Sequence, residues 1–351
     1  MKKFIVGTIF TVLLLMIVIS VQQGLLLAKP LPYDDEQKGL STQITIHLSH
    51  VVAENTPKGQ AANKFAELVE EKTDGMVKVH VYSNASLFND ENEFRALQKG
   101  DVEMIIPTFS KMTTYIPSWQ VLDLPYLFHT EEEVHEVLTG SIGKQLLDEL
   151  EPLHLHVKGL GFWYNGFKHI TSAEQPIHTF EDLQGLRVRT MPSKILEKQF
   201  EAVKATPIPV SFSELFTDLE THTIDAQENT ASNIYSKGFY KVQQHMTTTE
   251  HGILGYAVLI NENFWDSLPE KIQKQMLAAM KETTEWQFEQ AILMNEKDMQ
   301  KLMQQDHFDV YTMSDQERQR FKQQLTPVYD FYRSHIQTND ILTEIEKVVT
   351  P

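Results

Sequence analysis

Apolar and polar side chains alternate along residues 43–49, QITIHLS, and a period of two marks a strand with one buried face. The period then lengthens. In KGQAANKFAELVEEKTDG, Ala62, Phe65, Ala66 and Val69 fall on one helical face, with Pro57 where the helix would begin and Gly75 after its end. MVKVHVY predicts a second strand, ENEFRALQKG a helix closed by Gly100, and VEMIIP a third strand. This β-α-β-α-β order predicts parallel strands with covering helices.

A similar alternation resumes near Lys158. FKHITS, LRVRTM and ATPIPV read as strands, with one helix from Pro192 through Phe200 and another in SFSELFTDLE. His154 and His156 also alternate, as they would in a strand. Residues from Glu270 to about Gln305 include no Gly or Pro and are strong helix formers, which predicts a single long helix able to run across two domains.

The 351 residues, 41% of them hydrophobic, suffice for two cores. The formal charge of -17 and the lack of any Lys/Arg run longer than two speak against nucleic acid as a partner. They do not exclude a small anion, because a pocket answers to its local groups and not to the net charge. With no cysteine there is no disulfide, thiolate catalyst, cysteine zinc site or lipidated cysteine.

Lys2 and Lys3 precede an uncharged, mostly aliphatic run from Phe4 to Ala28, the pattern of an export segment. Residues 1–28 are therefore expected to be a signal peptide or an N-terminal membrane anchor. Cleavage after Ser20 and retention as an anchor both stay open, since the run approaches the roughly 20 apolar residues that span a bilayer. The flanking lysines put the N-terminus in the cytoplasm and the rest of the chain outside. Residues 29–40, KPLPYDDEQKGL, read as a polar tether.

Enzyme signatures are missing. The chain has no GxSxG elbow, no GxxxxGK[ST] loop and no HExxH, and in GLGFWYNG the third glycine, Gly166, is too far from Gly159 and Gly161 for a dinucleotide fingerprint. His154 and His156 lack the further ligands that a metal would need. The expectation is a chain that is not an enzyme, with no cofactor and no metal. An extracellular hydrolase is the alternative of another class.

Against this acidic background, GLRVRTMPSK sets Arg187 and Arg189 one residue apart in a predicted strand. On an ideal strand both share a face, so periodicity cannot choose between them. The segment continues through FSELF and QENTASNIYS, and with SHVVAENTPKG at 49–59, DLPYLF at 123–128, NGFKHIT at 165–171 and HGILGY at 251–256 it closely resembles the solute-binding proteins of TRAP transporters, in particular their C4-dicarboxylate-binding DctP and DctB group.

The resemblance implies an α/β, periplasmic-binding-protein-like fold: two α/β domains around a cleft, joined by hinge strands and bridged by a long helix. The expected division is 41–165 with 255–294, and 166–254 with 295–351. It further implies that Arg189 and Asn229 bind a ligand carboxylate, a role for which a planar guanidinium is suited by its two parallel donors. Lys168 stands where many relatives carry a second arginine and the C4-dicarboxylate group commonly has lysine. A second carboxylate needs a second cation, for which Lys58, Lys168 and Lys111 are the candidates; His50 and Phe212 match further pocket positions. Arg187 is read as a solvated or structural residue. The expected function is capture of succinate, fumarate or malate by cleft closure outside the cytoplasm, followed by presentation to TRAP permease subunits or, alternatively, to a membrane sensor kinase.

Overall fold

The computed structural model describes residues 43–336 and 339–349, so the leader and the tether lie outside the described residues. Two mixed sheets organise the chain. The first runs β2-β1-β3-β10-β4, built from β1 (Ile44–Ser49), β2 (Val77–Tyr82), β3 (Met104–Ile105), β4 (Val157–Phe167) and β10 (Ile253–Asn261). The second runs β11-β9-β5-β8-β6-β7, from β5 (His169–Ser172), β6 (Arg187–Thr190), β7 (Thr206–Pro209), β8 (Ala226–Asn229), β9 (His245–Thr248) and β11 (Asp309–Thr312).

The expected parallel pairs are present. β1 pairs in parallel with β2 and β3, and β6 with β7 and β8. Antiparallel strands complete each sheet: β10 lies between β3 and β4, and β5 between β8 and β9. The chain changes sheet three times: at Lys168 between β4 and β5, at residues 249–252 between β9 and β10, and through the helix Glu270–Met303 between β10 and β11.

Helix Pro57–Lys72 begins as its sequence dictates: the Thr56 side chain accepts from the Gly59 N–H at 3.1 Å, and Pro57 takes a first-turn position where its missing N–H costs nothing. Its stripe Ala62, Phe65 and Val69 is wholly buried. Helix Glu93–Lys99 ends at Gly100 in the left-handed conformation, φ 77°, as a glycine C-cap should.

The predicted long helix is Glu270–Met303, which packs on helix Pro57–Lys72 and β4, and further along on helix Ala231–Ser236 and β11. Two of its amides grip the strand that leaves the first sheet. Gln287 accepts from the Tyr164 N–H at 3.0 Å and donates to the Tyr164 carbonyl; Asn295 donates to the Asn165 carbonyl and accepts from the Ser232 N–H at 2.9 Å. Gly166, at φ +144°, leaves room for that grip, because a Cβ there would stand 2.8 Å from Asn295 Nδ2.

One sequence expectation fails. His154 and His156 are not in a strand; both take positive φ, 50° and 58°, in the turn between the short helix Glu151–Leu153 and β4. Alternation over three residues is too short to distinguish a strand from the irregular turn that feeds one.

Candidate functional site

The carboxyl ends of the parallel strands from both sheets meet at one cavity, the usual position for a ligand in open α/β sheets. β1 runs into Val51 and Val52, β3 into Pro107, Thr108 and Lys111, β6 supplies Arg189 and runs into Met191, and β8 supplies Glu228 and Asn229. About 530 Å³ of space not occupied by protein atoms lies among these residues, part of it open to solvent. A wider hollow of about 840 Å³ adjoins it, sharing Asp90, Glu93, Pro107, Lys111 and Pro192.

Of the seven residues picked from sequence, Arg189, Asn229, Lys168, Lys58, Phe212 and Lys111 line this cavity. His50 does not. It is fully buried behind the wall formed by its neighbours Val51 and Val52, and burial together with the Lys58 ammonium pushes its pKa down to about 3.

Arg187 and Arg189 differ in depth along the strand. Arg187, at the start of β6, is 43% exposed and forms a fork on Asp225, with Nε to Oδ2 at 3.0 Å and Nη2 to Oδ1 at 2.6 Å. Two residues on, Arg189 is 3% exposed, and its Nε donates to the Val210 carbonyl at 3.0 Å. Its two terminal nitrogens carry no hydrogen bond, and it has no salt bridge, among the described residues. Burial lowers its pKa to about 10, against the pull of Asp90 and Glu228, so the guanidinium stays charged at neutral pH.

Lys58, from the first turn of its helix, is 1% exposed. It donates to the Ile106 carbonyl at 3.0 Å and sits 4.0 Å from the centroid of the Tyr256 ring, with no carboxylate in salt-bridge contact among the described residues. Burial pushes its pKa down to about 7, opposed chiefly by Glu93. Lys168 is equally buried but already paired: Glu228 Oε2 lies 2.8 Å from its Nζ and 2.7 Å from His251 Nε2. Burial acts to raise Glu228, yet Lys168 and His251 prevail and hold it down at about 2. Lys111 stands 3.7 Å from Asp90 and 3.8 Å from Glu93.

Asn229 fixes its amide through Oδ1, which accepts from Asn233 Nδ2 at 2.9 Å and from the Thr230 N–H at 3.2 Å. Its Nδ2 spends one hydrogen on Gln227 Oε1 at 3.2 Å and keeps one for the cavity. Phe212 packs edge-on to Phe239 in a core cluster while also lining the cavity. Its backbone N–H donates to Asp90 Oδ2 at 2.9 Å, tying the loop after β2 to the segment after β7.

The lining thus holds four cations (Lys58, Lys111, Lys168 and Arg189) against three carboxylates (Asp90, Glu93 and Glu228). Two of the cations, one beside each sheet, have no carboxylate in contact, an arrangement suited to a ligand with two anionic ends. Sequence reasoning missed Asp90, Glu93 and Glu228, together with Tyr256 and Asn233. Glu228, Asn233 and Tyr256 lay inside quoted motifs, QENTASNIYS and HGILGY, whereas Asp90 and Glu93 were hidden among the many acidic residues of a surface-like stretch, NDENEF.

Residues 48–335 match the DctP family, described as bacterial extracellular solute-binding protein, family 7. The chain is 47% identical over 304 residues to the C4-dicarboxylate-binding protein DctB of Bacillus subtilis (strain 168), covering 87% of this chain and 86% of that protein. It is 40% identical over 292 residues to the C4-dicarboxylate-binding periplasmic protein DctP of Rhodobacter capsulatus, with 83% and 87% covered. Among solved structures, a TRAP periplasmic solute binding protein from Shewanella oneidensis with bound succinate superposes with a TM-score of 0.84 at 38% identity, covering 88% of this chain and 100% of that one. A second, from Pseudomonas aeruginosa PAO1 with bound L-malate, gives 0.79 at 31% identity, covering 82% and 100%.

Proposed function

Because the chain belongs to the bacterial extracellular solute-binding proteins of family 7, which bind and do not catalyse, we propose that its cavity captures a C4-dicarboxylate and presents it to the membrane components of a TRAP transporter. One carboxylate lies on the open fork of Arg189 with the spare hydrogen of Asn229. The other lies on Lys58, with Lys111 and the already paired Lys168 near it. The observation that carries the reading is the pair of buried cations, Arg189 and Lys58, neither in contact with a carboxylate and both facing one cavity.

A dianion bridging the two sheets favours the arrangement in which its two ends are held at once, so the same contacts that bind it also drive closure. The division that follows is 41–165 with 255–294 on one side and 166–254 with 295–351 on the other, hinged where the chain changes sheet. The long helix spans both. The protein works outside the cytoplasm, exported by residues 1–28; whether that leader is cleaved or kept as an anchor belongs to residues outside those described. The alternative partner, a sensor kinase, has no observation in its favour.

Calorimetry of the purified protein against mono- and dicarboxylates tests the reading. Succinate, fumarate and malate bind, while acetate, amino acids and neutral sugars do not. Equal affinity for acetate and succinate, or tight binding of a sugar, overturns it.

A further inference from the structure

Glu93 is a buried carboxylate of the cavity that receives no hydrogen bond among the described residues. It is 1% exposed, it lines both the cavity and the adjoining hollow, and among the described residues neither carboxylate oxygen has a hydrogen-bond partner. Lys111, from the short helix Phe109–Met112, is 3.8 Å from one oxygen, an ion-pair distance too long for a hydrogen bond. Lys58 faces Glu93 from helix Pro57–Lys72, and Asp90 from the loop just before its own helix. Glu228, the other carboxylate well inside the site, contrasts with it, taking both Lys168 and His251 at hydrogen-bond distance.

A buried polar group left unpaired is costly, so an unsatisfied carboxyl in a ligand cavity points to the ligand as its partner. For an anionic ligand that partner is another carboxylate. Two carboxylates in contact in a water-poor cavity cannot both be ionised, and one must hold a proton between them.

We propose that Glu93 is a ligand-contacting residue and that it enters the complex as a carboxylic acid, donating its hydrogen to the ligand carboxylate that faces Lys58. The inference rests on the dicarboxylate reading of the cavity. The proton comes from solvent, and no bond of the ligand changes. Burial already inclines Glu93 this way, pushing its pKa up to about 7 with help from Asp90 and against Lys111 and Lys58. An incoming dianion adds to that push. The arrangement lets the site hold a second carboxylate without ejecting its own.

Infrared difference spectroscopy of the wild-type protein at pH 8, with and without succinate, reads the proton directly. Binding is expected to create a protonated-carboxyl C=O band. That band keeps its frequency when the succinate carboxyls carry carbon-13, and it is missing in Glu93→Gln. The glutamine keeps a donor at the same place but needs no proton from solvent, so its succinate affinity falls less steeply between pH 7 and 9 than the parent's. A band that moves with the labelled ligand puts the proton on succinate, and a band that survives in Glu93→Gln puts it on another carboxyl such as Asp123; either result overturns the assignment. So does succinate binding with no new band, a result that leaves the dicarboxylate reading standing, whereas no succinate binding by the wild type removes both.

Discussion

The cavity holds two kinds of buried cation, and the difference between them separates structure from function. Lys168 has its counter-ion in place, with Glu228 between it and His251, and Thr249 Oγ1 2.7 Å from His251 Nδ1 completes the chain. Arg189 and Lys58 are as deeply buried, yet contact only carbonyl oxygens and a ring. Burying a charge without a partner is expensive, so the fold does not keep such groups for stability. The paired set holds the crossing between β4 and β5 together. On the proposed function, the unpaired set awaits an anion.

Replacing Arg189 by Ala sharpens this contrast most. Affinity for succinate should fall by a few hundredfold or more, following the roughly 3–5 kcal/mol lost when one partner of a buried ion pair is removed. The free protein should melt no lower than the parent, since it loses an uncompensated charge. A large drop in melting temperature without succinate would mean that Arg189 is structural after all. Arg189→Lys should recover part of the affinity, because an ammonium lacks the fork. Glu228→Ala should behave in the opposite way: it leaves Lys168 buried and alone, and unfolding in urea should show a loss of about 3–5 kcal/mol in the free protein.

Acidity tests Lys58. Its pKa in the free protein is about 7, below the ordinary lysine value, and a dianion beside it favours the charged form and raises it. Binding therefore takes up a proton above pH 7, and affinity falls as pH rises, by up to about tenfold per unit. Glu93 takes up a proton in the same range, so Lys58 is read in Glu93→Gln, where a flat calorimetric profile between pH 7 and 9 would show that it stays out of the complex. The smallest effect belongs to Arg187. Its fork on Asp225 is largely solvated, so Arg187→Ala should move succinate affinity by less than about threefold. Loss of binding there, with Arg189→Ala unaffected, would place the carboxylate on the wrong arginine.

Much of the frame was legible because local patterns are strong where helices and parallel strands are regular. The cap at Pro57, the glycine stop at Gly100 and the uninterrupted helix of 34 residues all follow from residue types. β10 was harder to read, since all nine of its residues are buried and no alternation marks them. The same limit hid the site's carboxylates. Sequence spacing gives Glu93 a place on a helix, but the charges that face it, Lys58, Asp90 and Lys111, lie on other segments. Arg187 and Arg189 could not be separated by periodicity, because the difference lies along the strand and not between its faces.

Asn295 also has a bearing on time. One side chain of the long helix holds the carbonyl of Asn165, at the end of the first sheet, and the N–H of Ser232, at the start of a helix beside the second. In the closure proposed above, a swing of one sheet against the other would load these two bonds. On that reading Asn295 would act as a detent on opening of the cleft, and a side chain added at Gly166 would disturb it by striking the same amide.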